Sequence, residues 1–192
     1  MTTNRAKTSD VTGGGLIANS MPSDSAKAMG KYIVECFDKD GNHKWTAETP
    51  NLVVNVGLQY MAGTALVATT QITTWYVGLY GAGASNTPNA LDTASSHGGW
   101  TENTSYSEAT RPVANFAAAT NANPSVVTNT SNKAVFTMNA TTTIGGAFLI
   151  SNNTKAGTTG TLFSAADFQA PGDRAVVSGD ILNVTYQFSL SA

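Results

Sequence analysis

The sequence predicts a mainly β fold: an antiparallel β-sandwich, jelly-roll-like, with one short helix and an extended N-terminal arm. Three observations carry this expectation. Thr, Asn, Ser, Gly and Ala make up roughly half of the chain, a composition of strands and turns rather than of long amphipathic helices. β-rich runs recur at intervals of roughly 10 to 15 residues with little helix between them. The last run is the clearest: Leu182, Val184, Tyr186, Phe188 and Leu190 alternate with Asn183, Thr185, Gln187 and Ser189, the pattern of a strand with one buried face.

Residues 1–30 form the predicted arm and residues 31–192 the sandwich domain. The first 30 residues contain no aromatic side chain and carry Gly13-Gly14-Gly15, so they cannot bury enough surface to fold alone. The segment reads either as a disordered leader or as an arm that orders against a neighbouring subunit, with Leu16, Ile17 and Met21 as its apolar anchors and candidate interaction residues.

From Gly30 the pattern becomes that of strands. Residues 31–37 and 43–48 flank Asp38-Lys39-Asp40-Gly41-Asn42, and Asp-Gly between two such runs marks a hairpin. Residues 51–63 are the one candidate helix, with Asn55 as its cap and Gly63 as its stop, although the run Leu52-Val53-Val54 also suits a strand. Residues 74–80 read as a strand buried on both faces. The long Gly/Ser/Asn/Thr segment 81–108 then exceeds any hairpin connection and is expected to carry local turns. Further strands are expected at 111–117, 125–128, 133–139, 143–151, 160–163, 174–177 and 180–190. Thr-rich, uncharged strand edges suggest cover by other subunits, since a free monomer normally blunts its edges with charge.

Charge narrows the function. Only 11% of the 192 residues are charged, the formal net charge is −2, and 41% are apolar, enough for a real core. That balance offers no basic field for nucleic acid and no polybasic surface for anionic lipid. With Cys36 alone, no intrachain disulfide and no cysteine-based zinc site can form. Residues 1–5 run into polar sequence without an apolar h-region, so neither a signal peptide nor a membrane span is expected, and folding in a reducing cytoplasm is.

Catalytic residue types are sparse. His43 follows the hairpin turn and reads as a surface residue, whereas His97, in Ser95-Ser96-His97-Gly98-Gly99-Trp100-Thr101-Glu102, has serine and acid nearby. A triad is a matter of geometry, and neighbours on one loop rarely supply it. Glu102 and Glu108 are the one candidate acid pair for glycoside chemistry, against a plain reading as solvated loop residues. Residues 38–49 fail as a calcium loop, because the glycine is fourth and Thr49 holds the twelfth position. Gly81-Ala82-Gly83 lacks the remaining features of a dinucleotide loop. No catalytic, cofactor-binding or metal-binding residue is therefore assigned. No charge lies between Glu48 and Asp92, which suits burial in an assembly or contact with carbohydrate, for which Trp75, Tyr76 or Trp100 could act as platforms.

Residues 51–63 (NLVVNVGLQYMAG), residues 75–80 (WYVGLY) followed by 96–102 (SHGGWTE) and 106–112 (YSEATRP), and residues 144–148 (IGGAF) through 178–180 (SGD) form an ordered set of motifs. Together they resemble small virion structural proteins of tailed bacteriophages, of the capsid cement or decoration type. The resemblance covers roughly residues 31 to 190, so the arm lies outside it. It implies a non-enzymatic particle component on the capsid surface. Its partners would be the major capsid protein and further copies of the chain as a dimer or trimer, with neither nucleic acid nor membrane. The alternative is a tail- or fibre-associated module binding host glycan or another tail protein. Trp100 is the candidate interaction residue of the sandwich itself.

Overall fold

The structure is a computed structural model describing residues 26–82, 87–169 and 171–192. Leu16, Ile17 and Met21 lie outside the described residues. Two antiparallel sheets face each other. The first is built on β11 (Ile181–Ser191), which pairs along its whole length with β1 (Lys27–Phe37). β2 (His43–Pro50) lies beyond β1, while the other edge of β11 is shared by β6 (Ser125–Thr128) and β7 (Ala134–Thr137). The second sheet runs β3 (Leu52–Val53), β9 (Leu162–Asp167), β8 (Thr142–Ile150), β4 (Tyr76–Gly81), β5 (Glu102–Asn103), with β10 (Arg174–Val176) paired to the start of β8. The chain passes between sheets from β2 to β3, β5 to β6, β7 to β8 and β10 to β11, in jelly-roll-like fashion, whereas the β1–β2 and β8–β9 hairpins stay within one sheet.

The core lies between the sheets. From the first come Tyr32, Val34 and Cys36 of β1, Phe136 of β7, and Leu182, Val184 and Tyr186 of β11; from the second come Val77, Leu79, Ala147 and Leu149. The alternation read from residues 182–190 is the inward face of β11. Cys36 is fully buried, and burial followed by the charge of Asp180 pushes its thiol up to about 12, so it behaves as a small core residue.

Asn129 closes a gap in the β11 ladder. β7 pairs with residues 181–184 and β6 with 187–190, leaving residues 185–186 without a strand partner on that edge. The Tyr186 amide donates to Asn129 Oδ1 (2.7 Å), and Asn129 donates from Nδ2 to the Val184 carbonyl (3.1 Å) and from its backbone N to the Tyr186 carbonyl (3.3 Å). One buried amide thus stands in for a residue of strand.

Four sequence expectations change. β1 starts at Lys27, so residues 27–30, the last four read as arm, are strand of the first sheet. Helix α1 spans Asn55–Leu66: Val54, not Asn55, is its N-cap, and Gly63 lies inside it, accepting the closing bond from the Val67 amide. Residues 111–117 do not form a strand. Pro112 O and Ala114 N bond to Val77 N and Trp75 O beside β4, after which Ala117 and Thr120 donate to Thr128 O and Val126 O on β6. The segment therefore staples one sheet to the other instead of extending either.

The fourth change concerns edges. Thr120 Oγ1 accepts the Val126 amide on β6, and both Glu108 carboxylate oxygens accept the Thr137 amide on β7 at 3.0 and 3.1 Å. At these two points the chain itself covers the β6 and β7 edges.

Candidate functional site

The second sheet is also buried on its outer face, and glycine makes this possible. In the β4–β8 ladder Gly78 faces Phe148 and Gly146 faces Tyr80. A Cβ on Gly78 would lie 2.1 Å from the Phe148 ring, and one on Gly146 2.2 Å from Tyr80, so each ring fills the space a side chain would take on the opposite glycine. Trp100 packs on this floor, 5.2 Å from the Tyr80 ring centroid and 5.0 Å from that of Phe148. Its indole N–H donates to Asp92 Oδ2 (2.9 Å), which also accepts the Asn89 amide, tying loop 89–100 down.

Trp100 is only 5% exposed, so it does not offer the open platform expected of an interaction residue. His97 stacks on it with centroids 4.0 Å apart and 20° between planes. His97 Nδ1 lies 2.9 Å from the Trp100 carbonyl; a carbonyl only accepts, so Nδ1 carries the proton. Trp75 and Tyr76 are half-buried, Trp75 between Tyr60 and Phe163. His43 is exposed, with Nε2 2.8 Å from Thr46 Oγ1, as the plain reading of a surface histidine anticipates.

Below Trp100 a cleft of ≈ 130 Å³ is walled by His97, Glu102, Arg111 and Phe148. Glu102 and Arg111 form a two-pronged ion pair: Nε donates to Oε1 at 2.9 Å and Nη2 to Oε2 at 2.7 Å, with side chains 5% and 2% exposed. Arg111 also donates to the carbonyls of Asn152 and Gly157 and lies 5.3 Å from the Phe148 ring centroid. The Ala156 amide donates to Glu102 Oε2 at 2.6 Å, and Ala156 takes a φ of 54°, a left-handed backbone for a non-glycine residue. Lys155 donates to the Tyr106 carbonyl (2.6 Å) and sits 3.9 Å from the centre of the Tyr106 ring. Burial, with Glu102 as the next cause, pushes the Tyr106 hydroxyl pKa up.

This constellation fastens the β8–β9 loop onto the segment following β5. Glu102 is not a solvated loop residue, and it is committed to Arg111; Glu108 is committed to the Thr137 amide. They do not form a catalytic acid pair. Nor does His97 receive a carboxylate on Nδ1 as a triad histidine would. Asp38 likewise turns its carboxylate inward on the hairpin, accepting from the Asp40 and Asn42 amides and the Asn42 side chain, and these bonds, that from the Asn42 side chain first, lower its pKa. Among the described residues no cluster of three or more His, Cys, Asp or Glu is placed to hold a metal ion, and no helix is long and apolar enough to cross a membrane.

A different surface stands out. Helix α1 buries Gly57 against β9, where an added Cβ would lie 2.3 Å from the Phe163 carbonyl, and turns Leu58, Ala62 and Leu66 outward at i, i+4 and i+8. Leu66 is 85% exposed, Val67 73% and Leu91 76%. The Asn55 amide donates to the Ala90 carbonyl, which brings Leu91 to the start of the helix. Beside α1 runs a groove of ≈ 660 Å³ whose walls include Val56, Tyr60, Gly63 and Val67, none of them charged. The charge-free stretch between Glu48 and Asp92 thus contributes an apolar, neutral face. Its charge pattern was legible in the sequence, whereas the outward turn of Leu58 and Leu66 depends on the packing of Gly57 against β9. No family model, curated protein or solved structure matches this chain.

Proposed function

We propose that the protein is a non-enzymatic virion structural protein of a tailed bacteriophage, a capsid cement or decoration protein that bridges major capsid protein subunits on the head surface. The observation that supports this reading is the neutral face of α1 with Leu66, Val67 and Leu91 exposed. Large aliphatic side chains at such exposure, without charge around them, associate at low desolvation cost. A specific joint needs ~1,600 Å² of buried surface, and repetition over a shell adds avidity. The ion pair of Glu102 with Arg111 and the bonds of Glu108 to Thr137 favour a scaffold over turnover. The motif resemblance supplies the virion context. As a homo-oligomer the chain would present this face several times.

The test is cryo-electron microscopy of purified particles together with a Leu66→Lys, Leu91→Lys variant. Many copies spread over the head, lost in the variant while its thermal midpoint is unchanged, are the expected result. Copies confined to the tail replace the reading with a tail-associated module. Absence from the particle overturns both.

A further inference from the structure

The outward side of the first sheet carries apolar residues that the core does not take up. An antiparallel sheet with one wet face puts polar residues outward. β11 follows this rule with Asn183, Thr185, Gln187 and Ser189. β1 breaks it: Tyr32, Val34 and Cys36 enter the core, so Met29, Lys31, Ile33, Glu35 and Phe37 alternate outward. The registers set Ile33 beside Thr185, Phe37 beside Ile181 and Asn183 beside Val135, so outward apolar positions extend over β1, β11 and β7. Val135 is 43% exposed and Met29 38%, while Ile33, Phe37 and Ile181 are half-buried. None of these five forms or packs against either core cluster.

Charge and size narrow what could cover this face. Between Met29 and Phe37 its charges are paired within it, Lys31 with Glu48 at 2.7 Å and Glu35 with Lys133. A surface neutral in this way does not repel a copy of itself. Lys31 and Glu35 also lie two residues to either side of Ile33. A second copy packed face to face across a two-fold axis through Ile33 therefore sets its Glu35 over Lys31 and its Lys31 over Glu35. Glu48 shares the row of Ile33 and keeps Lys31 as its counter-ion. The eleven-residue strands β1 and β11 are about 36 Å long, and four strand positions are about 19 Å wide. That is about 700 Å² per copy and about 1,400 Å² for two, inside the ~1,200–2,000 Å² of stable specific interfaces.

We propose that this face is a two-fold interface with a second copy of the chain, the two first sheets packing against each other in a dimer. It includes none of Leu58, Leu66, Val67 or Leu91, so the α1 face takes no part in it, and it does not depend on the virion assignment. Light scattering of the full chain at micromolar concentration should give the mass of a dimer. Ile33→Lys with Val135→Lys should weaken dimerisation about a hundredfold, whereas Leu66→Lys with Leu91→Lys should leave it unchanged. A cross-link keeps the test independent of how well the first variant folds. Cys36 is fully buried, so Ile33→Cys supplies the reactive thiol, with Asp40→Cys at the exposed hairpin turn as control. A short bismaleimide should join two Ile33→Cys chains roughly tenfold faster than two Asp40→Cys chains. A monomer, a trimer, a dimer that dissolves only in the Leu66→Lys, Leu91→Lys variant, or equal cross-linking rates would each overturn the proposal.

Discussion

The hydroxyl of Tyr32 on β1 lies 2.8 Å from Ser164 Oγ on β9, a hydrogen bond between the two sheets through the middle of the core. Ser164 Oγ is also 3.2 Å from the Tyr186 hydroxyl, which Asn51 contacts in turn, so four polar side chains form one chain across the sandwich. Burial raises the hydroxyl pKa values of both tyrosines, and they remain neutral donors and acceptors throughout the physiological range.

Ser164→Ala leaves the Tyr32 hydroxyl buried without its side-chain partner and should cost about 1–3 kcal/mol in urea unfolding. Tyr32→Phe combined with Ser164→Ala should cost less than the sum of the two single changes, because the second substitution removes the group the first one orphans. Strict additivity would show that the bond contributes nothing to holding the sheets together.

Glu102→Ala strands the Arg111 guanidinium at 2% exposure and should destabilise by about 3–5 kcal/mol. Replacing both, Glu102→Leu with Arg111→Met, should be milder than either single loss, since no buried charge is then left unpaired. Denaturant midpoints of the three variants check this ordering. Proteolysis of the 151–161 loop should accelerate most in Glu102→Ala, which loses the acceptor of the Ala156 amide.

The parts of the fold that could be read from sequence are those whose pattern is local. β11 alternates over its inward face, and the β1–β2 turn needs the positive φ of Gly41, 83°. Residues 111–117 misled because they have strand composition, yet Pro112 lacks an N–H and the segment serves first β4 and then β6. The two-residue strands β3 and β5 are defined by their partners and leave no periodicity of their own. Glu102 and Arg111 lie nine residues apart on irregular backbone, so no helical or strand spacing announces their pairing. Trp100 stood out as an aromatic in a polar loop, but its burial depends on Gly78 and Gly146 two strands away.

Asp167 gives a pH dependence of opposite sign to that of an ordinary stabilising carboxylate. Burial first, and then the charge of Asp173, raise its pKa above the usual 3.8. The folded state therefore binds this proton more tightly than the unfolded chain, and stability falls as pH rises from 3.8 through the folded value. Asp167→Asn should raise the thermal midpoint at pH 7, with the gain vanishing at about pH 3, where the parent carboxyl is protonated in both states. A pH-independent difference would mean that packing, not charge, is responsible.

The two glycines inside α1 should respond oppositely to the change that normally strengthens a helix. In an exposed helix interior Gly→Ala gains about 1 kcal/mol. At Gly57 the new Cβ would sit 2.3 Å from the Phe163 carbonyl oxygen and 3.0 Å from its carbonyl carbon, backbone that cannot yield without moving α1 off β9. Gly57→Ala should therefore lower the thermal midpoint despite its better helix propensity. At Gly63 the nearest atom is the Thr69 hydroxyl, 2.6 Å away on a side chain that can rotate, and Gly63→Ala should be neutral or stabilising. Thermal unfolding of both variants decides the matter: equal stabilisation of the two would show that α1 does not rest on β9 through Gly57.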